Sequence, residues 1–109
     1  MADIIELQKE YEAIAGSGNA EKSLALFYNV REALESGELR VAYKSDGEWV
    51  INSWVKSVIL WGFKYGIMKE YKGNPLSFHD KNTYPARSFR PDDGIRIVPG
   101  GTSVRSGAY

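Results

Sequence analysis

The amino-acid pattern predicts an α+β fold: a small domain of two helices, a β-hairpin and a third core helix, followed by short strands. Three observations carry this. Apolar residues recur at helical spacing in two segments before Gly37. A period-two segment with the turn Ser45-Asp46-Gly47 follows. The stretch GEWVINSWVKSVILWGFKYG (47–66) then runs out of that hairpin into a strongly apolar helix.

From Asp3 to Ala15, Ile4, Leu7, Tyr11 and Ile14 share one face, with Glu6, Lys9, Glu10 and Glu12 between them. This is a short amphipathic helix that needs a partner to dock on. Gly16-Ser17-Gly18 breaks it, and Asn19 is placed to cap a second helix whose inner face is Leu24, Phe27, Val30 and Leu34. Ser36-Gly37 ends that helix. Leu39, Val41 and Tyr43 then alternate with Arg40, Ala42 and Lys44, and residues 48–51 form the return strand across the Asp46-Gly47 turn. A lone hairpin is marginal in water, so the following helix is expected to cover it.

In that helix, residues 54–65, Trp54, Val58, Trp61 and Tyr65 stack on one face, with Val55, Ile59 and Gly62 as a second apolar row. Only Lys56, Ser57 and Lys64 look suited to water. Asn52 or Ser53 is expected to cap its start through the side chain, and Gly66 to end it in the left-handed conformation. Gly62, unfavourable in a helix interior, predicts a close neighbour there. Beyond Gly66 the pattern loosens. Residues 67–71 and 76–80 read as short strands about a Gly73-Asn74-Pro75 turn, and Gly94 to Val98 alternates as a further strand.

Length and composition bound the function. At 109 residues the chain holds one modest core, and 43% hydrophobic with 26% charged residues is the balance of an ordinary folded domain. The start MADIIELQKE has no signal-peptide pattern, and Lys56 and Lys64 interrupt the most apolar run, so the sequence predicts a cytoplasmic protein with no membrane partner. No cysteine is present, which excludes thiol catalysis and cysteine metal sites, and His79 is the sole histidine. Net charge is zero but divided: residues 1–38 carry eight acids against three bases, the remainder six against eleven. The basic residues form no stripe, so nucleic acid is not an expected partner. His79-Asp80-Lys81 reads as a polar turn, Gly100-Gly101-Thr102-Ser103 as a flexible turn without the spacing of a phosphate loop, and Asp92-Asp93-Gly94 as a turn without calcium-loop spacing.

Several blocks, in order, resemble the N-terminal domain of the tetrahydrodipicolinate N-succinyltransferase family: ALESGELRVAYKSDGEWVINSWVKSVIL (33–60), FHDK (78–81) and GIRIVPGGTSVRSGAY (94–109). The family pattern runs Leu-x-Ser-Gly-x-Leu-Arg-Val-Ala, Gly-x-Trp-Val, an x-Trp-x-Lys helix, Phe-Arg-Val-Val-Pro and Val-Arg-x-Gly-Ala. The resemblance implies a left-handed parallel β-helix after this domain and assembly as a homotrimer. It implies transfer of succinyl from the co-substrate succinyl-CoA to the amine of L-2-amino-6-oxopimelate, a step of lysine biosynthesis. On it, residues 1–99 are the N-terminal domain and residues 100–109 the junction and first hexapeptide, with Val104 and Ala108 as inward positions. The CoA tunnel and the carboxylate that assists the amine belong to the β-helix, so no cofactor is expected to bind this segment and none of its residues is expected to be catalytic.

Arg96 aligns with the arginine of the Phe-Arg-Val-Val-Pro block, which contacts the small dicarboxylate substrate in the family; Ile95 stands where the family has Phe. A planar guanidinium suits a carboxylate because it can pair bidentately. Arg105 is also a family position, with a structural role at the junction expected ahead of a substrate role. Without the resemblance, the residues alone would suggest a non-enzymatic interaction module that docks through its acidic helical pair.

Overall fold

Residue patterns of this kind settle into local elements first, and the structure, a computed structural model, describes them for residues 3–73 and 76–109. Helix α1 spans Ile4–Ile14 and starts where the Asp3 carboxylate accepts the N–H groups of Ile5 and Glu6. Helix α2 spans Ala20–Ser36, capped by the Asn19 side chain on the Lys22 N–H and closed by Gly37 at φ 83°. Strands β1 (Ala42–Ser45) and β2 (Glu48–Ile51) pair antiparallel with Ala42 opposite Ile51, around a turn that holds Asp46 and Gly47 at positive φ. Helix α3 spans Ser53–Tyr65. Strands β3 (Met68–Tyr71) and β4 (Phe78–Lys81) form a second antiparallel pair, and Pro91–Asp93 makes one 3-10 turn. The predicted turn residues Asn74 and Pro75 lie outside the described residues.

Among the described residues the α+β architecture is thus three helices and two small antiparallel hairpins. The core is the helical triangle: α3 packs chiefly on α2, and α1 lies against both. Leu7, Leu26, Phe27, Val30, Ala33, Leu39, Trp54, Val55 and Val58 are buried together. Gly62 is also buried, and a Cβ there would stand 2.5 Å from the Phe27 ring and 2.7 Å from the Tyr84 hydroxyl, so the glycine permits the approach of α2 and of residue 84.

Several expectations are corrected. Trp61 is only half-buried, its ring tilted at 30° to Tyr11 with centroids 5.3 Å apart, while Leu60 and Phe63 are about half exposed (54% and 49%), because α3 has helices on one side only. The Asn52 side chain makes no cap bond; its amide donates to the Arg40 carbonyl at 2.8 Å and pins the base of the hairpin instead. Gly66 is extended (φ −71°, ψ 156°), not left-handed. Its glycine identity comes from crowding, since a Cβ would lie 2.6 Å from Thr83 Oγ1. Residues 94–98 form no strand: they pair with nothing among the described residues, and all are exposed, which leaves their alternation without a sheet to face.

Nor does α3 cover the first hairpin, since its apolar face is spent on α2 and α1. Trp49 and Ile51 remain 67% and 62% exposed on one face of that ribbon. The projecting ribbon agrees with a radius of gyration of 15.8 Å, above the roughly 13 Å of a compact domain of this length.

The second half of the chain is fastened to the end of α3 by two hydroxyls, one buried and one half-buried. Thr83, fully buried, donates from Oγ1 to the Gly62 carbonyl at 2.8 Å, and Tyr84 donates to the Ile59 carbonyl at 2.6 Å. Burial pushes the Tyr84 phenol up to about 12, against a smaller opposing pull from Arg31.

Two outcomes are expected from urea denaturation. Phe27→Ala should lose about 3–5 kcal/mol and Trp61→Ala clearly less. Gly62→Ala should destabilise even though alanine favours an open helix by about 1 kcal/mol; a stabilised variant would show that Phe27 and Tyr84 do not close on this position. The second outcome concerns pH. An unfolded tyrosine titrates near 10, below the folded value of about 12. The folded state therefore holds the proton more tightly. The linked stability is whole below about pH 10 and is lost as pH rises through about 12. Tyr84→Phe should flatten that alkaline decline; superimposable pH curves for the two proteins would place the hydroxyl in water.

Candidate functional site

The two hydroxyl anchors bring residues 83–87 across α2 and α3, and the last residues of the chain lie along them. Ala86 bridges Arg105 antiparallel, the Arg87 N–H donates to the Val104 carbonyl at 2.7 Å, and the Ser106 N–H donates to the Pro85 carbonyl at 2.8 Å. Segment 104–108 is therefore a strap laid beside 84–87. Next to it the Tyr109 ring lies over Gly37, with the Arg40 guanidinium 4.8 Å from that ring.

Three arginines fix the strap. Arg31, from α2, donates to the Thr83 carbonyl at 2.7 Å and lies over the Tyr28 ring at 5.0 Å. Arg87 pairs with Glu35 at 3.4 Å and donates to the Ala108 carbonyl at 2.6 Å, while Glu35 also accepts the Gly107 N–H at 3.1 Å. Arg105 donates through Nε to the Tyr84 carbonyl at 2.6 Å and forms an ion pair with Asp80 of β4. Charge-assisted bonds of this type are roughly twice as strong as neutral ones, so a segment that buries little apolar surface is still held in one place.

The Asp80–Arg105 pair stands between two cavities. One, of about 270 Å³, lies among α2, α3 and the strap, with Phe27, Ile59, Phe63 and Tyr84 beneath and Arg31, Arg105 and Ser106 at its edge. The other, of about 330 Å³, is lined by Tyr71, Phe78, His79, Ala86 and Ser103. A separate groove of about 390 Å³ between α1 and α2 carries Asp3, Glu6, Glu10, Glu32 and Glu38, which is the acidic pair visible in the sequence.

The residues singled out from the sequence are dispersed. Arg105 borders both cavities, whereas Arg96 lies in the exposed 94–98 run and borders neither. His79, Asp80 and Lys81 belong to strand β4, not to a turn; Lys81 is drawn in by its bond from Nζ to the Gly66 carbonyl and by the Tyr71 hydroxyl on its own carbonyl. Asp93 accepts the Arg90 N–H, and Asp92 pairs with Arg90, so both acids serve the local 3-10 turn. Gly100 and Gly101, at φ 112° and 116°, form the turn expected there. The sequence reading did not single out Arg31, Glu35, Tyr84 or Arg87. Arg31 and Glu35, one helical turn apart beside the apolar Leu34, carried a weak signal; Tyr84 and Arg87 carried none, because their partners lie far along the chain.

Comparison with known proteins gives the chain a family. A family model described as "Tetrahydrodipicolinate N-succinyltransferase N-terminal" matches residues 1–65. The chain is similar to proteins named 2,3,4,5-tetrahydropyridine-2,6-dicarboxylate N-succinyltransferase. In Nitrosococcus oceani the identity is 41% over 81 residues, covering 70% of this chain and 29% of the relative. In Coxiella burnetii it is 40% over 80 residues, covering 72% and 29%. In Nitrosomonas europaea it is 36% over 96 residues, covering 84% and 33%. The chain thus spans about three-tenths of the length of these relatives. With the family match running from the first helix through the end of α3, more than half of the chain, this protein belongs to the tetrahydrodipicolinate N-succinyltransferase N-terminal family.

Proposed function

We propose that this chain is the N-terminal, non-catalytic part of an N-succinyltransferase of lysine and diaminopimelate biosynthesis. That enzyme would move succinyl from succinyl-CoA to the amine of L-2-amino-6-oxopimelate. The observation that carries the reading is the match over residues 1–65, together with about 40% identity to enzymes of that name. In the reaction the amine attacks the thioester carbonyl, a carboxylate takes the amine proton, and the tetrahedral intermediate collapses with loss of the CoA thiolate. The CoA site and that carboxylate are assigned to a β-helix that would follow residues 100–109 and form a cytoplasmic homotrimer. The domain itself would help cover the active site between subunits.

Within this chain, Arg96 is the residue assigned to the substrate. Its support is its position in the GIRIV block and its exposure, with no ion pair or hydrogen bond to its side chain among the described residues. Its donors are thus available to a carboxylate. Arg105 is already committed to Tyr84 and Asp80, which supports a positioning role at the junction.

The purified 109-residue chain is expected to release no CoA from succinyl-CoA above a buffer blank; measurable turnover would return the catalytic groups to this segment. In a full-length relative carrying the equivalent of Arg96→Ala, amine-substrate affinity should fall by some tens to thousands-fold, with succinyl-CoA affinity unchanged. The equivalent of Arg96→Lys should restore only part, since an ammonium lacks the bidentate fork. Separate titration of the two substrates reads both effects, and unaltered amine-substrate binding in the alanine variant would remove Arg96 from the site.

A further inference from the structure

The cavity of about 270 Å³ beside the strap has an apolar floor and a charged rim. Phe63 stacks on Tyr84 with ring centroids 4.5 Å apart, Phe27 meets Tyr84 edge-on at 5.3 Å, and Ile59 completes the floor. On the rim, Arg31 and Arg105 are each fastened to a backbone carbonyl, of Thr83 at 2.7 Å and Tyr84 at 2.6 Å. A guanidinium has five N–H donors, so each keeps donors to spare in a fixed orientation, including Arg105 after its pair with Asp80. The Ser106 hydroxyl, which bonds to nothing among the described residues, stands on the same rim. Two guanidiniums face one carboxylate, a local excess of one positive charge.

A concave apolar surface with a few convergent donors is the usual form of a small-molecule site. A neutral apolar ligand would strip water from the guanidiniums without replacing their bonds, and a bare anion would leave the aromatic floor wet. We propose that this cavity binds a small planar monocarboxylate, its ring against Phe63 and Ile59 and its carboxylate on Arg31 and Arg105. The volume is at the lower limit of ligand pockets, roughly 300 Å³, which restricts the body to about one ring. Asp80 disfavours a second negative charge. Arg96 does not border this cavity, and the site is independent of the succinyl-transfer reading.

Benzoate is the probe, with benzyl alcohol (ring without charge) and acetate (charge without ring) as controls. Each is titrated into the isotope-labelled 109-residue chain and followed by amide chemical shifts. Benzoate should give saturable shifts at Tyr84, Ser106, Gly107 and Ala108, with an affinity about tenfold or more above either control. Arg31→Gln should erase the advantage over benzyl alcohol. Because Arg31 also holds Thr83, a readout on the unaltered chain accompanies the variant. Raising salt from about 0.1 to about 1 M shortens the screening length from about 10 to about 3 Å, and it should weaken benzoate while leaving benzyl alcohol unchanged. Non-saturating benzoate shifts, acetate equal to benzoate, or benzoate binding indifferent to salt would each overturn the assignment.

Discussion

Two carbonyls near the end of α3, those of Ile59 and Gly62, carry the connection between the halves of this molecule. Every residue of the buried hydrophobic core lies at or before Val58. Past Gly66 the described residues add one fully buried side chain, Thr83, and the half-buried Tyr84 beside it, and both donate a hydroxyl to α3. The contact requires absent side chains. Gly62 and Gly66 leave the helix surface bare where Phe27, Tyr84 and Thr83 close on it. A net hydrogen bond contributes about 1 kcal/mol, so the second hairpin and the strap rest on a few polar contacts and on the Tyr84 ring against Phe27 and Phe63. A region held in this way is expected to open locally before the helical triangle unfolds.

The arginines follow from that shortage of apolar contact. Arg31, Arg87 and Arg105 each satisfy a backbone carbonyl of an irregular segment that has no sheet to satisfy it. Glu35 and Asp80 neutralise two of the three. The same residues that stabilise the strap therefore leave a positively biased edge on an aromatic cavity, so the attachment of the strap and a recognition surface arise from one set of side chains.

The first hairpin shows the opposite economy. Its register is set by an Asp46-Gly47 turn and by Asn52, whose side-chain amide donates to the Arg40 carbonyl and whose backbone N–H donates to the Val41 carbonyl. Trp49 and Ile51 on its outer face touch no helix broadly, and Lys44 rests over the Trp49 ring at 5.5 Å. A two-stranded ribbon has two open edges, which proteins ordinarily shield.

What was legible from residues alone was everything governed by near neighbours in the chain. The caps at Asn19 and Gly37, the amphipathic face of α1, the turn at Asp46-Gly47 and the close approach at Gly62 follow from spacing and backbone stereochemistry over a few residues. On α2, by contrast, only Phe27 and Val30 of the expected inner face are fully buried, Leu26 and Ala33 lying deeper than Leu24 and Leu34. The ordered blocks also pointed to the family that the comparison shows. What spacing could not reveal was which apolar face meets which partner. Leu60 and Phe63 on the outer side of α3 are as apolar as its buried residues, and only the positions of α1 and α2 decide between them. Alternation in GIRIV likewise means a strand only where a second strand is present to accept its hydrogen bonds. The cavity edge of Arg31, Asp80 and Arg105 joins residues as many as 74 positions apart. Such a meeting has no local signature, because it is produced by two hydroxyls and two glycines that let distant backbone segments close on one another.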